Sequence, residues 1–199
     1  MRPQPTLSAL LLAVATGCAH APLSPDAAAR MAHPAFVVRV APRGEGTEGV
    51  SRFELAERLR AGLFGALPRK MPWTGRVDPL SVMNALQLLL VHDESSRPLE
   101  YGTLRPLGAD GVVELEVKRW GLARDAKRGD EIFAALAGRV FLLDGGELWR
   151  GDVVVSIPAP DGLSDGERRA VLVEAFGELG RRTAARLSPE SAAAQSTAP

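Results

Sequence analysis

The chain has 199 residues, in which 24 Lys and Arg balance 24 Asp and Glu and 46% of positions are hydrophobic. That length builds one ordinary domain rather than two, and balanced charge leaves no basic surplus for nucleic acid. A single cysteine, Cys18, excludes an intrachain disulfide framework and a cysteine-built metal site.

The N-terminus reads as an export signal. Arg2 precedes an apolar run from Leu7 to Ala15, and Ala15-Thr16-Gly17 brings small residues up to Cys18. The run is too short for a membrane-spanning helix, which needs about 20 apolar residues. Ala15-Thr16-Gly17-Cys18 resembles the lipobox of bacterial lipoproteins, with alanine where that family usually has leucine. The resemblance implies that residues 1–17 are a signal peptide and that Cys18 is acylated, palmitate included, and becomes the mature N-terminus. Ala19 stands where an aspartate would favour the inner membrane, so the implied address is the outer membrane, with the domain facing the periplasm or, as the alternative, the cell surface. Several acyl chains hold a protein durably, so no amphipathic membrane helix is required. Residues 18–34 read as a lipidated tether, residues 35–187 as the domain, and residues 188–199 as a disordered Ala, Ser, Pro and Thr tail.

Within the domain, Phe36-Val37-Val38-Arg39-Val40 predicts a strand between Pro34 and Pro42. Ser51 and Glu54 have the spacing of a capping box, with Val50 and Leu55 as its hydrophobic staple. Phe53, Ala56, Leu59, Leu63 and Leu67 then recur at helical spacing until Pro68. Residues 73–77 predict a second short strand. Asp78-Pro79 opens a helix expected to reach Val91, and a further short helix is expected from Ser95 or Ser96 to the Pro106–Gly108 region. From Val112 to Trp120 the chain alternates, with Val113, Leu115 and Val117 on one face and Glu114, Glu116 and Lys118 on the other. A charged loop, a strand over 132–143, the turn Asp144-Gly145-Gly146 and a returning strand over 148–157 follow. Ser164 and Glu167 form a second capping box before a helix striped by Val171, Leu172, Ala175, Phe176 and Leu179.

This order predicts an α+β (α/β) fold: one mixed sheet of about five strands with helices packed mainly on one face. Leu107-Gly108-Ala109-Asp110, the Val113, Leu115 and Val117 strand, Trp120-Gly121, Asp144-Gly145 and Leu148-Trp149 resemble a group of Gram-negative outer-membrane lipoproteins. That group includes the curli secretion lipoprotein, and its domain is similar to the N-terminal α/β domain of the Tol-system periplasmic protein. The chain departs from the secretion lipoprotein in having no spare pair of alternating strands with which to build a barrel. Gly108 reads most simply as a helix cap and Asp110 as a turn residue. Trp120 and Trp149 read either as packed anchors with bonded indole N–H groups or as an exposed docking pair.

The chemistry of catalysis is sparse. His92-Asp93-Glu94 offers metal-ligand types, but adjacent residues converge poorly on one ion and a solvated loop explains them. Gly44-Glu45-Gly46 begins a dinucleotide fingerprint without its third glycine. Glu114 and Glu116 stand about 7 Å apart on one strand face, which Lys118 continues as an ordinary solvated surface tolerant of substitution. No catalytic residue, metal or cofactor is expected. The expected function is a non-enzymatic, lipid-anchored envelope module whose partner surface includes Glu114, Glu116, Lys118 and Trp120. Its expected partners are the membrane, through the lipid, and an envelope protein or a second copy. The alternative is a small-ligand or lipid carrier with its pocket between sheet and helices.

Overall fold

The computed structural model describes residues 21–41, 44, 50–69, 71, 73, 75–86, 99–125, 129–160 and 162–188. The first of these correct the tether reading. A short helix, α1 (Pro25–Ala29), is capped by Ser24, whose Oγ accepts from the Ala27 N–H at 3.2 Å, and has proline in its first turn. Leu23, Ala28 and Met31 are buried in the core. The backbone N–H groups of Ala32 and His33 donate to the two carboxylate oxygens of Asp110, at 2.7 and 2.9 Å. Asp110 therefore does more than shape a turn. It ties the N-terminal segment to the head of the sheet.

Strand β1 (Pro34–Val40) is buried on both faces over most of its length, as suits a strand covered from two sides. Phe36 and Val38 enter the main core, whereas Ala35 and Val37 enter a smaller cluster on the opposite face. Helix α2 (Arg52–Ala66) follows, with Ser51 Oγ accepting from the Glu54 N–H and Val50 packed against the core that holds Leu55. Glu54 itself pairs with Arg169, so half of the expected capping box carries an interhelical ion pair instead. The buried stripe runs through Leu55, Ala56, Leu59 and Leu63. Phe53, expected on that stripe, is 61% exposed, because its position lies about a quarter turn from the stripe's centre. Leu67, ahead of Pro68, is extended, and the helix ends there.

The described residues of the expected fifth strand, 73 and 75–77, are not in a strand. The Gly75 N–H donates to the Ala32 carbonyl just ahead of β1 at 3.2 Å and the Val77 N–H to that of Pro34, the first residue of β1, at 3.3 Å, and Asp78 then caps α3 (Pro79–Ala85) through the Ser81 N–H. The chain turns into α3 at Asp78, so the pairing stops at those two bonds. The expected continuation of α3 to Val91 and the start at Ser95 or Ser96 lie outside the described residues. A 3-10 helix (Tyr101–Leu107) closes at Gly108, which takes a left-handed φ of 81°, the conformation that favours glycine in a cap.

Strands β2 (Gly111–Asp125), β3 (Gly129–Leu142) and β4 (Glu147–Ala159) complete a four-stranded sheet in the order β1-β2-β3-β4. β1 and β2 are parallel, and the other neighbours are antiparallel. Gly145 and Gly146, both at positive φ, turn β3 into β4. Helix α4 (Asp165–Leu187) starts in a complete Ser164–Glu167 capping box and buries Leu172, Ala175, Phe176, Leu179, Ala184 and Leu187, with Val171 only half buried. α2 and α4 cover one face of the sheet and run in the same direction, Arg169 meeting Glu54 near their starts and Glu174 meeting Arg58 at 2.6 Å further on. Their backbones touch. A Cβ at Gly62 would stand 2.1 Å from the Gly177 carbonyl oxygen, and one at Gly180 would stand 2.3 Å from that of Leu59.

Among the described residues, the opposite face is covered only in part. α3 and the 3-10 helix cap Ala35, Val37 and Val112 at one end, while the two long helices, α2 and α4, share the other face.

Candidate functional site

The sheet face left beside α3 and the 3-10 helix carries charge. Period-two alternation sends Arg39 of β1, Glu114 and Glu116 of β2, Ala137 and Arg139 of β3, and Arg150 and Asp152 of β4 to this side. Strand register then makes them neighbours: Arg39 lies opposite Glu116, Glu114 opposite Arg139, Ala137 opposite Asp152, and Arg139 opposite Arg150. Alanine at position 137 leaves room between the long side chains. The result is a polar groove of about 380 Å³ whose lining includes Arg39, Glu114, Glu116, Lys118, Arg139 and Asp152.

Glu114 is the keystone. Only 4% of it is exposed, and its two oxygens meet different cations: Arg39 at 2.7 Å and the Arg139 Nε. Burial by itself would raise the Glu114 pKa. The neighbouring Tyr101 hydroxyl and the Arg139 and Arg39 guanidinium groups more than offset that, and hold the carboxyl below its ordinary value. Burial and then Glu114 push the Tyr101 hydroxyl the other way, upward. The Tyr101 ring packs edge-on to Phe141 at 5.1 Å, and Arg139 lies over the Phe141 ring at 4.9 Å. Around this centre Glu116 bonds Lys118 and reaches Arg39 at 3.3 Å, and Arg150 pairs with Glu147 at 2.7 Å. A carboxylate clamped this way stays ionised and charge-paired, so its chemistry is electrostatic and geometric: it fixes two guanidinium groups in a set orientation.

Of the four residues expected on a partner surface, the structure brings Glu114, Glu116 and Lys118 to one face. Glu114, however, is buried and pinned rather than the solvated surface residue expected. Trp120 is on the other side of the sheet. A β-bulge between Val117 and Arg119 breaks the alternation, so Lys118 and Arg119 are both exposed while Trp120 turns inward and is 2% exposed. Its indole N–H donates to the Ala41 carbonyl at 3.1 Å, and its ring meets Phe176 edge-on at 6.1 Å. Trp149 is likewise an anchor, donating to the Ala21 carbonyl at 2.8 Å. Arg39, Arg139, Arg150 and Asp152 escaped the sequence reading. Alternation places each on a polar face, but only the register across three strands makes them one site.

Cys18 and His92-Asp93-Glu94 lie outside the described residues. Among the described residues, no three His, Cys, Asp or Glu side chains are grouped to hold a metal, and no helix is long and apolar enough to cross a membrane.

No known family's sequence profile matches the chain, and no curated protein matches it. Solved structures do. Protein XCC0632 from Xanthomonas campestris, of the DUF330 family, is similar at a TM-score of 0.50 and 10% identity, over 90% of this chain and 92% of that one. The PelC dodecamer from Paraburkholderia phytofirmans gives a TM-score of 0.45 and 12% identity, over 86% of this chain and 96% of that one. Lipoprotein GNA1162 from Neisseria meningitidis gives 0.43 and 16%, over 74% and 96%. At such identities the likeness is one of fold, and the XCC0632 match shows a shared fold along nearly the whole chain.

Proposed function

We propose that this protein is a non-enzymatic envelope lipoprotein, anchored through acylated Cys18 and docking another envelope protein through the open charged face of its sheet. The observation that carries the docking reading is the prearranged lattice on that face. Buried Glu114 fixes Arg39 and Arg139, while Glu116, Lys118, Arg150 and Asp152 surround them at the solvent side. A rigid array of alternating charge recognises a complementary array with good orientation and rejects a mismatched one, since like-charge contacts cost several kcal/mol. The signal peptide and the lipobox-like Ala15-Thr16-Gly17-Cys18 supply the address, an outer-membrane anchor with the domain in the periplasm.

The experiment is capture of partners from gently solubilised outer membranes, using the wild-type chain and the double variant Lys118→Glu, Asp152→Lys. Both side chains are exposed and outside the buried Glu114 clamp, so the melting temperature should hold while capture of a specific protein is lost. Unchanged capture by the variant would remove this face from the function. A second reading follows from the groove's size, which falls in the range of small-ligand sites. Its charged lining suits a small polar ligand rather than a lipid chain, and binding of such a ligand without protein capture would favour that reading.

A further inference from the structure

The short path from Cys18 to the first packed residue sets how the domain meets its membrane. Ala21 is held by the Trp149 indole at 2.8 Å, and two residues later the Leu23 N–H donates to the Arg186 carbonyl at 2.9 Å, with the Leu23 side chain fully buried. α1, buried Met31 and the Asp110 clamp then fix the chain as far as β1. Three residue steps separate Cys18 from Ala21, a maximum reach of about 11 Å. That is only a few ångströms more than the depth of one headgroup layer, about 5–8 Å, since a bilayer of about 40–45 Å has a hydrocarbon core of about 30 Å between its two headgroup layers.

Strand directions say which end is held. Trp149 lies near the start of β4, beside the 143–146 turn, and Arg186 near the end of α4. The start of β1 is at this same end, paired with the start of β2. The opposite end carries the far half of the β2–β3 hairpin, the end of β4 and the start of α4. β4 alone has 13 residues, which separates the two ends by about 40 Å. We infer that the end bearing the 143–146 turn is held against the lipid headgroups, and that the β2–β3 hairpin and the start of α4 point away from the bilayer. The long sides of the domain offer lipid little reason to lie flat: the groove face is charged, and the outer face of α2 and α4 carries the Arg58, Glu174, Glu178 and Arg181 ion pairs. This inference rests on the Cys18 anchor proposed above.

Acylation consumes the only native thiol, so one added cysteine carries one probe. Asp144→Cys marks the exposed turn at the held end, and Asp165→Cys marks the exposed first residue of α4 at the far end. The full acylated chain, labelled with a donor dye, is reconstituted in phosphatidylethanolamine and phosphatidylglycerol vesicles that carry an acceptor on their headgroups. Energy transfer should be about threefold or more stronger from position 144, given a separation of about 40 Å along the strands. Inserting roughly a dozen Gly and Ser residues after Ala19, about 20 Å of added mean reach, should move the ratio toward one. Protein that floats with the vesicles and transfers equally from both positions would overturn the orientation while leaving the anchor intact. An unchanged ratio after the insertion would overturn the leash as its cause. Failure to float would overturn the anchor, and the orientation with it.

Discussion

Glu114 shows what a single strand position does when its neighbours come from other strands. From its own strand it is one of three alternating polar residues. In the fold it is a buried carboxylate between Arg39 and Arg139. Glu114→Gln leaves two guanidinium groups facing a neutral amide, and Arg139 keeps access to solvent at 43% side-chain exposure. The expected loss is about 2 kcal/mol, below the usual range for breaking a fully buried pair because solvent screens the exposed partner. Lys118→Ala, at an exposed pair, should cost about 0.5 kcal/mol or less. Urea unfolding of both variants measures the contrast, and equal losses would contradict the keystone role. The same carboxyl sets a pH dependence. Its folded pKa is below the ordinary 4.5, so its contribution is present above 4.5 and is lost as pH falls through the lower folded value. Wild-type stability should therefore fall more steeply with acid than that of Glu114→Gln.

At the scale of elements, α2 and α4 depend on glycine at their crossing. Gly62→Ala or Gly180→Ala drives a methyl group into backbone on the facing helix and should cost about 1–3 kcal/mol. Gly65→Ala, in the same helix with no neighbouring atom within 4 Å of the added group, should instead stabilise by about 0.5–1 kcal/mol through helix propensity and a stiffer unfolded chain. Thermal melts of the three variants test this, and a loss at Gly65 equal to that at Gly180 would contradict the close approach of the two backbones as the cause. Elements governed by local chemistry were legible in the sequence: the Ser164–Glu167 box, the Asp78-Pro79 start, the Gly108 cap and the glycine turn after β3 all use neighbouring residues. The β-bulge at Lys118 was not, because an extra residue in a strand is defined by its partner strand. Nor was the packing of residues 21–33 onto the domain through Leu23, Ala28 and Met31, since their composition resembles a tether. Leu23 and Met31 are buried, and Ala32 and His33 are bonded, through contacts with the far end of the chain and with Asp110. The charged groove was half legible: β2 showed its own polar face, while the arginines of β1, β3 and β4 joined it only through register.

The whole molecule is a four-stranded sheet with two parallel helices over one face, a smaller cap on part of the other, and a short path from its packed body to Cys18. If the segment before β1 belongs to the body, Leu23→Ala and Met31→Ala should each cost about 2–4 kcal/mol, as for other buried large-to-small changes. A loose tether would tolerate both without a change in melting temperature. The anchor itself is tested most directly by metabolic labelling with a fatty-acid analogue followed by membrane fractionation, comparing the wild-type chain with Cys18→Ala. The wild type should take up label and sediment with the outer membrane, and Cys18→Ala should lose the label and either remain an unprocessed precursor or appear in the soluble periplasmic fraction. A Cys18→Ala chain that still labels, is processed normally and stays in the outer membrane would contradict the lipoprotein account.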